Sequence, residues 1–296
     1  MCALTTAALV LSHSLASPSA TRHSHLPRHQ SCIQPFVAAS TAQVPPIVCV
    51  HDFTGALWAF NQLVPKLPGP CLGLGCTPAL LRGCSSFSDL ASRYALALPR
   101  ALWPAQAPIP LLGYSLGCRI AHRMTSQLEA EGRRVVLILL DGPIGAASLG
   151  HSAALQRLAT SVGAPPNGRL QAEAGVEVEA VPDLLLRALD AAGAASREVA
   201  SQLMQLTDTD PVANHPASGA ATDPADTPTL YVAARSSDHR RQGTLQAALE
   251  CRPQSEIREV DGSHFDFLSK SAEEVARLVA DFMARAGRDR GASSAE

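Results

Sequence analysis

The segment Gly113-Tyr114-Ser115-Leu116-Gly117 places a hydroxyl between two glycines, where the apolar run Ile109 to Leu112 gives way to a helical pattern beginning near Cys118. On so sharp a strand-to-helix turn a serine can act as a nucleophile, because glycines two positions to either side remove the side chains that would collide there. The N–H of the next residue, Leu116, then faces a developing oxyanion at the positive end of the helix. The chemistry implied is acyl transfer through a covalent serine intermediate. Tyr114, beside the nucleophile, is assigned to substrate contact. The bland alternative is a Gly-rich turn packed closely for steric reasons alone; the strand before it and the helix after it weigh against that.

A serine nucleophile needs a base, and in the strand–turn–helix version of this chemistry the partners follow in the order Ser, then Asp or Glu, then His. His264, in Asp261-Gly-Ser-His264-Phe265, follows the predicted strand Ser255 to Val260 and precedes the terminal helix. His122 lies on the helix after Ser115, His151 and His215 fall in a long insertion, and His239 follows an earlier strand. Two aspartates compete for the acid. Asp141 ends the run Val135 to Leu140, in an Asp-Gly-Pro that is also good turn chemistry, and Asp238 follows the run Thr229 to Ala233; position leaves both open. The second oxyanion donor is expected in His51-Asp-Phe-Thr-Gly55, the loop after an early strand: the N–H of Phe53, with Asp52 as the fallback. His51 is given a loop-shaping role.

These residues need a scaffold that brings distant loops to one edge. From Val44 onward short apolar runs alternate with longer segments of helical period, the pattern of a mostly parallel sheet with helices on its faces. Strands are predicted at Pro46 to Val50, Cys71 to Gly75, Pro110 to Gly113, Val135 to Leu140, Thr229 to Ala233 and Ser255 to Val260. Helices are predicted at Phe87 to Leu98, Cys118 to Ala130 and Ala272 to Ala286; in the last, Val275, Leu278, Val279, Phe282 and Met283 form one apolar stripe. Residues 145 to 226 break the alternation with Ala-rich helical stretches, Pro182 to Ala192 and Arg197 to Leu206. An insertion of that length is read as a lid.

Composition bounds the rest. The 296 residues suffice for one large α/β domain, placed at 44–286. With 24 basic and 26 acidic residues the net charge is −2, which carries no electrostatic footprint for nucleic acid. No apolar stretch reaches the roughly 18 residues a membrane helix needs, so no stable membrane insertion is expected. The eight cysteines show neither C-x-x-C nor zinc-ligand spacing and are read as free thiols, with no metal site. Residues 1–43 are Ser-rich and have no acidic residue, a composition suited to a transit peptide or a disordered extension. The expected location is therefore cytoplasmic, or a plastid or other organelle if 1–43 is a targeting segment. Residues 287–296 are read as a disordered tail.

Taken together, His51-Asp-Phe-Thr-Gly55, Leu74-Gly-Cys-Thr77, Leu112-Gly-Tyr-Ser-Leu-Gly117, Leu140-Asp-Gly142 and Asp261-Gly-Ser-His264 resemble the thioesterase domains that end animal fatty acid synthases and type I polyketide or non-ribosomal peptide synthetases. The likeness runs from about residue 45 to 285, and synthase modules are absent from the sequence. It implies an α/β-hydrolase fold, Asp141 rather than Asp238 as the acid, and Phe53 as the hole donor. It implies hydrolysis or cyclisation of an acyl group delivered by an acyl carrier protein or as acyl-CoA, in fatty acid or polyketide synthesis, with no cofactor beyond the phosphopantetheine or CoA that carries the substrate. Two features depart from it: Asp-Phe-Thr stands where fatty-synthase relatives tend to have Pro-Ile-Glu, and the lid sequence has no match. A carboxylesterase or lipase acting on oxygen esters would use the same three residues. A chain that has lost activity and only binds acyl groups is a third reading.

Overall fold

Val135–Leu140 is six consecutive Val, Leu and Ile residues, all buried. A run with no polar alternation requires cover on both faces, as inside a parallel sheet. The computed structural model describes residues 32–36, 44–142, 144, 193–206, 227–237 and 252–288, and in it this run is a central strand of seven. In chain order the strands are β1 (Ile33–Pro35), β2 (Ile47–Val50), β3 (Cys71–Leu74), β4 (Ile109–Tyr114), β5 (Val135–Leu140), β6 (Thr229–Ala234) and β7 (Glu256–Val260). They lie side by side as β1-β3-β2-β4-β5-β6-β7. Every pair is parallel except β1 with β3.

The α-helices among the described residues are α1 (Pro78–Leu81), α2 (Phe87–Ala97), α3 (Leu116–Ala130), α4 (Gly193–Gln205), α5 (Phe267–Lys270) and α6 (Ala272–Arg288). Strand side chains alternate between two cores. Val48, Val50, Leu111, Leu137, Leu139 and Tyr231 pack with α2, α3 and α4. On the other face Cys49, Leu112, Ile138, Leu140 and Val232 pack with α5 and α6. The expected stripe on α6 docks there through buried Val275, Val279 and Phe282, with Leu278 and Met283 partly buried at its margin. The helix that carries the serine turn is held from outside: Gln127 Nε2 on α3 donates to Ser88 O at 3.1 Å and to Ser92 Oγ at 2.8 Å on α2.

Most strand and helix ends fall within one or two residues of the sequence reading, and three differences bear on the expected segments. Residues 33–35, inside the segment set apart as an N-terminal extension, form the antiparallel edge strand β1, and neighbouring Cys32 is buried in the core. Three residues carry too little pattern to be read as a strand, and pairing with β3 supplies the stability they lack alone. Helix α6 continues to Arg288, past the expected start of the tail. Of the expected lid, residues 145–226, only 193–206 are described: α4 begins four residues before the predicted Arg197 and packs Val199, Ala200 and Leu203 into the core, while Pro182 to Ala192 lies outside the described residues. Among the described residues no helix is long and apolar enough to cross a membrane.

Candidate active site

Because β2, β4, β5 and β7 run parallel, their carboxyl ends open onto the same edge of the sheet, the usual place for a site in this architecture. Ser115 follows β4 directly. It has φ 53° and ψ −125°, a left-handed conformation that costs a non-glycine residue about 1–3 kcal/mol. The turn persists because its surroundings fix it: Ser115 N–H donates to Leu140 O at 3.1 Å, and Ser115 O accepts from Cys118 N–H at 3.0 Å. A Cβ on Gly113 would stand 2.4 Å from Gly117 O, and one on Gly117 would stand 2.4 Å from His51 O. Both glycines of the motif are therefore steric necessities, and the second presses α3 against the end of β2.

His264 lies in the turn after β7. Its Nε2 is 2.9 Å from Ser115 Oγ, and its Nδ1 is 2.8 Å from Asp141 Oδ2. A carboxylate only accepts, so Nδ1 carries the proton and Nε2 is free to accept from the serine hydroxyl. Asp141, at the end of β5, has φ 47°, its Oδ1 accepts from Ala234 N–H at 3.0 Å, and its own N–H donates to Val232 O at 2.8 Å. Both carboxylate oxygens are thus engaged, one by the imidazole and one by β6. Asp238 lies outside the described residues.

A thioesterase domain family model matches residues 45–283. The chain belongs to the thioesterase domain family. Malpinin synthetase of Mortierella alpina is 36% identical to this thioesterase chain over 104 residues, which are 33% of the chain and 1% of that protein. The chain therefore spans a very small part of that relative's length. Among solved structures it is similar to BorB, the type II thioesterase of the borrelidin biosynthetic cluster, with TM-score 0.58 and 16% identity over 86% of this chain and 98% of that one. YbtT, a type II thioesterase from the yersiniabactin NRPS/PKS pathway, is similar with TM-score 0.58 and 18% identity over 86% and 99%. The NocB thioesterase domain, solved as a covalent complex with a fluorophosphonate nocardicin G analog, is similar with TM-score 0.52 and 17% identity over 86% and 99%. At these identities the structural likenesses show the fold.

Its place beside Ser115 in the sequence assigns Tyr114 to substrate contact. Tyr114 is buried on the α6 side of the sheet. Its hydroxyl donates to His264 O at 2.7 Å, and its ring stacks on the imidazole at 5.3 Å with the planes 27° apart. Along a strand, successive side chains point to opposite faces, so Tyr114 becomes a rest for the histidine. Sequence reasoning also passed over Gly142. A Cβ there would lie 2.0 Å from Ser115 O, and Gly142 O accepts from the buried Tyr231 hydroxyl at 3.1 Å. The Asp-Gly-Pro signal was visible, but only as a turn.

At the end of β2, Phe53 is 4% exposed and Leu116, the first residue of α3, is 2% exposed. The first N–H groups of a helix have no intrahelical acceptor, which leaves that of Leu116 available beside Ser115. His51 is fully buried with its ring edge toward Tyr94, and its Nδ1–H donates to Asp52 O at 2.5 Å. Burial lowers the imidazole pKa to about 4, against the opposing pull of that carbonyl. Among the described residues no group of three or more His, Cys, Asp or Glu side chains is arranged to hold a metal ion.

The Asp52 carboxyl is 2% exposed, and burial raises its pKa from 3.8 to about 6, against the lowering effect of the bonds from Thr54 and of nearby His264. Between those two pH values the folded protein holds a proton at Asp52 that the unfolded chain does not, so this site's contribution to stability falls as pH rises to about 6. His51 acts with the opposite sign: from pH 6.5 down to about 4 only the unfolded chain takes up its proton, and stability falls with falling pH. The two nearly cancel between pH 4 and 6. Asp52→Asn removes the first effect and leaves the second. Relative to the parent it is expected to gain up to about 3 kcal/mol on going from pH 4 to pH 7, measured by urea unfolding at both. A stability difference that does not change with pH would show that Asp52 ionises as readily folded as unfolded.

Proposed function

We propose that the chain is a serine thioesterase in which Ser115 is the nucleophile, His264 the base and Asp141 the acid that orients it. The observation that carries this reading is the unbroken line Asp141–His264–Ser115, with bonds of 2.8 and 2.9 Å, ending on a strained serine at a strand-to-helix turn. His264 Nε2 takes the hydroxyl proton as Ser115 Oγ attacks the thioester carbonyl. The N–H groups of Phe53 and Leu116 bind the oxyanion, the carbon–sulfur bond breaks, and the departing thiolate takes the proton from the imidazolium. Water, or a hydroxyl of the acyl chain, then gives up a proton to His264 as it attacks the acyl-enzyme carbonyl, and the imidazolium returns that proton to Ser115 Oγ as the acyl–oxygen bond breaks, releasing the acid or the cyclised product. The reaction needs no cofactor of the enzyme's own.

The substrate in this reading is an acyl or peptidyl group on the phosphopantetheine arm of a carrier protein, or on CoA. The names of the similar structures, drawn from borrelidin and yersiniabactin biosynthesis, and the partial likeness to a fungal synthetase support an assembly-line product over a fatty acid. The test is turnover of acyl-CoA and acyl-carrier thioesters beside p-nitrophenyl esters, with intact-mass detection of an adduct on Ser115. Thioester turnover with a transient acyl-enzyme is the expected result. A higher kcat/KM for oxygen esters would make the chain a carboxylesterase, and folded protein inert to a fluorophosphonate would make it an acyl-binding module.

A further inference from the structure

We infer that the side chains of Asp52 and Thr54 are positioning groups for the oxyanion hole, locking the 51–56 loop so that the N–H of Phe53 is turned out of the loop's own hydrogen-bond network and toward the reacting carbonyl. The inference rests on the reading of Ser115 as a nucleophile. Asp52 Oδ1 accepts from Thr54 N–H at 2.8 Å and from Thr54 Oγ1–H at 2.5 Å. Thr54 Oγ1 in turn accepts from Ala56 N–H at 3.1 Å. The Asp52 carbonyl accepts from Gly55 N–H at 3.1 Å and from the His51 ring.

The N–H groups of residues 54, 55 and 56 are therefore all consumed inside the loop. Among the described residues the N–H of Phe53 donates to none. An Asp side chain that captures the N–H two residues on fixes a turn much as a backbone bond would, and here the threonine hydroxyl doubles the clamp. All of Asp52 and Thr54 is buried, at 2% exposure each, so water does not compete for these bonds.

The clamp is tied to the rest of the site at both ends. Gly55 O accepts from Cys76 N–H at 2.8 Å after β3, and His51 O lies against Gly117 at the start of α3. A loop fixed against the same helix that carries Ser115 keeps donor and nucleophile in register. A donor that drifts by about 1 Å can lose as much as about 10² in rate.

The test measures thioester turnover in the full chain beside the rate at which a fluorophosphonate labels Ser115, since the phosphonyl oxygen occupies the same hole. Asp52→Ala and Thr54→Val are each expected to lower kcat by about 10²-fold with KM within about threefold, and to slow labelling similarly. Asp52→Asn and Thr54→Ser keep the acceptor and the hydroxyl and are expected to recover most of the loss. The double variant Asp52→Ala/Thr54→Val should be no slower than the slower single one, because both break one device. Should Asp52→Ala not fold, Thr54→Val against Thr54→Ser decides alone. An Asp52→Asn protein as slow as Asp52→Ala would overturn the inference, because charge and not the turn would then matter. So would a raised KM at unchanged kcat, the mark of a substrate contact. If the parent labels at Ser115 but turns over no thioester, the substrate assignment fails, while the labelling series still tests the clamp.

Discussion

Ser115→Ala and His264→Ala are each expected to reduce kcat for thioester hydrolysis by about 10⁴–10⁶-fold, and the double variant to be scarcely slower than either. Neither residue has a separate share to lose. Without the hydroxyl there is nothing for Nε2 to deprotonate, and without Nε2 the hydroxyl 2.9 Å away stays a weak nucleophile. What survives is the contribution of the oxyanion donors and of binding. Asp141→Asn is expected to cost about 10⁴-fold, because an amide at Oδ2 would favour the wrong imidazole tautomer. Asp238→Asn is expected to retain most of the turnover. Steady-state kinetics on these five variants beside the parent would check all of this. Single losses that multiply in the double variant would mean that the two residues do not act as a unit, and a greater loss at Asp238 than at Asp141 would move the acid to the end of β6.

Gly142→Ala is the second large effect, and it reaches the Ser115 turn through the backbone. The new Cβ would be 2.0 Å from Ser115 O and 2.7 Å from Cys118 Sγ. The first of these is backbone in a turn already held at a strained φ, so neither side can yield cheaply. About 3 kcal/mol of destabilisation is expected, a fall in Tm of roughly 6–12 °C for a domain of this size, together with slower labelling of Ser115. Gly287→Ala on α6 is the matched control: a Cβ there meets nothing within 4 Å, so its Tm should hold or rise slightly. Equal Tm values for the two variants would show that the turn has room the structure denies it.

Much of the scaffold was legible because parallel strands buried on both faces announce themselves as unbroken apolar runs. Val135–Leu140 has the same bounds in sequence and structure, and the stripe on α6 docks as its spacing implied. The serine turn was legible too, since its requirements are local: glycines within two residues, a strand before and a helix after. Position after the last strand singled out His264 from the other histidines. Apart from the chain order that singled out His264, each of these signals spans fewer than about 20 residues, the range over which periodicity and turn chemistry operate.

The rest depended on contacts between residues far apart in the chain. Asp141 and Asp238 both follow strands, and local pattern has no means of ranking them; it is the pairing of β5 with β6 and the placement of His264 between loops that brings Oδ2 to Nδ1 across 123 residues. Tyr114 adjoins Ser115 in the sequence, and only the packed sheet brings its ring onto the imidazole and its hydroxyl to His264 O. Gly142 reads as half of an Asp-Gly turn until the sheet packs β5 beside β4 and leaves no room above Ser115 O. The sequence by itself determined the class of fold and the strand-to-helix turn at Ser115, because those rest on short-range sterics and burial. Only the tertiary structure set Asp141 against His264, Tyr114 against the imidazole and the bonds that hold the 51–56 loop, because those follow from which strand ends the sheet brings side by side.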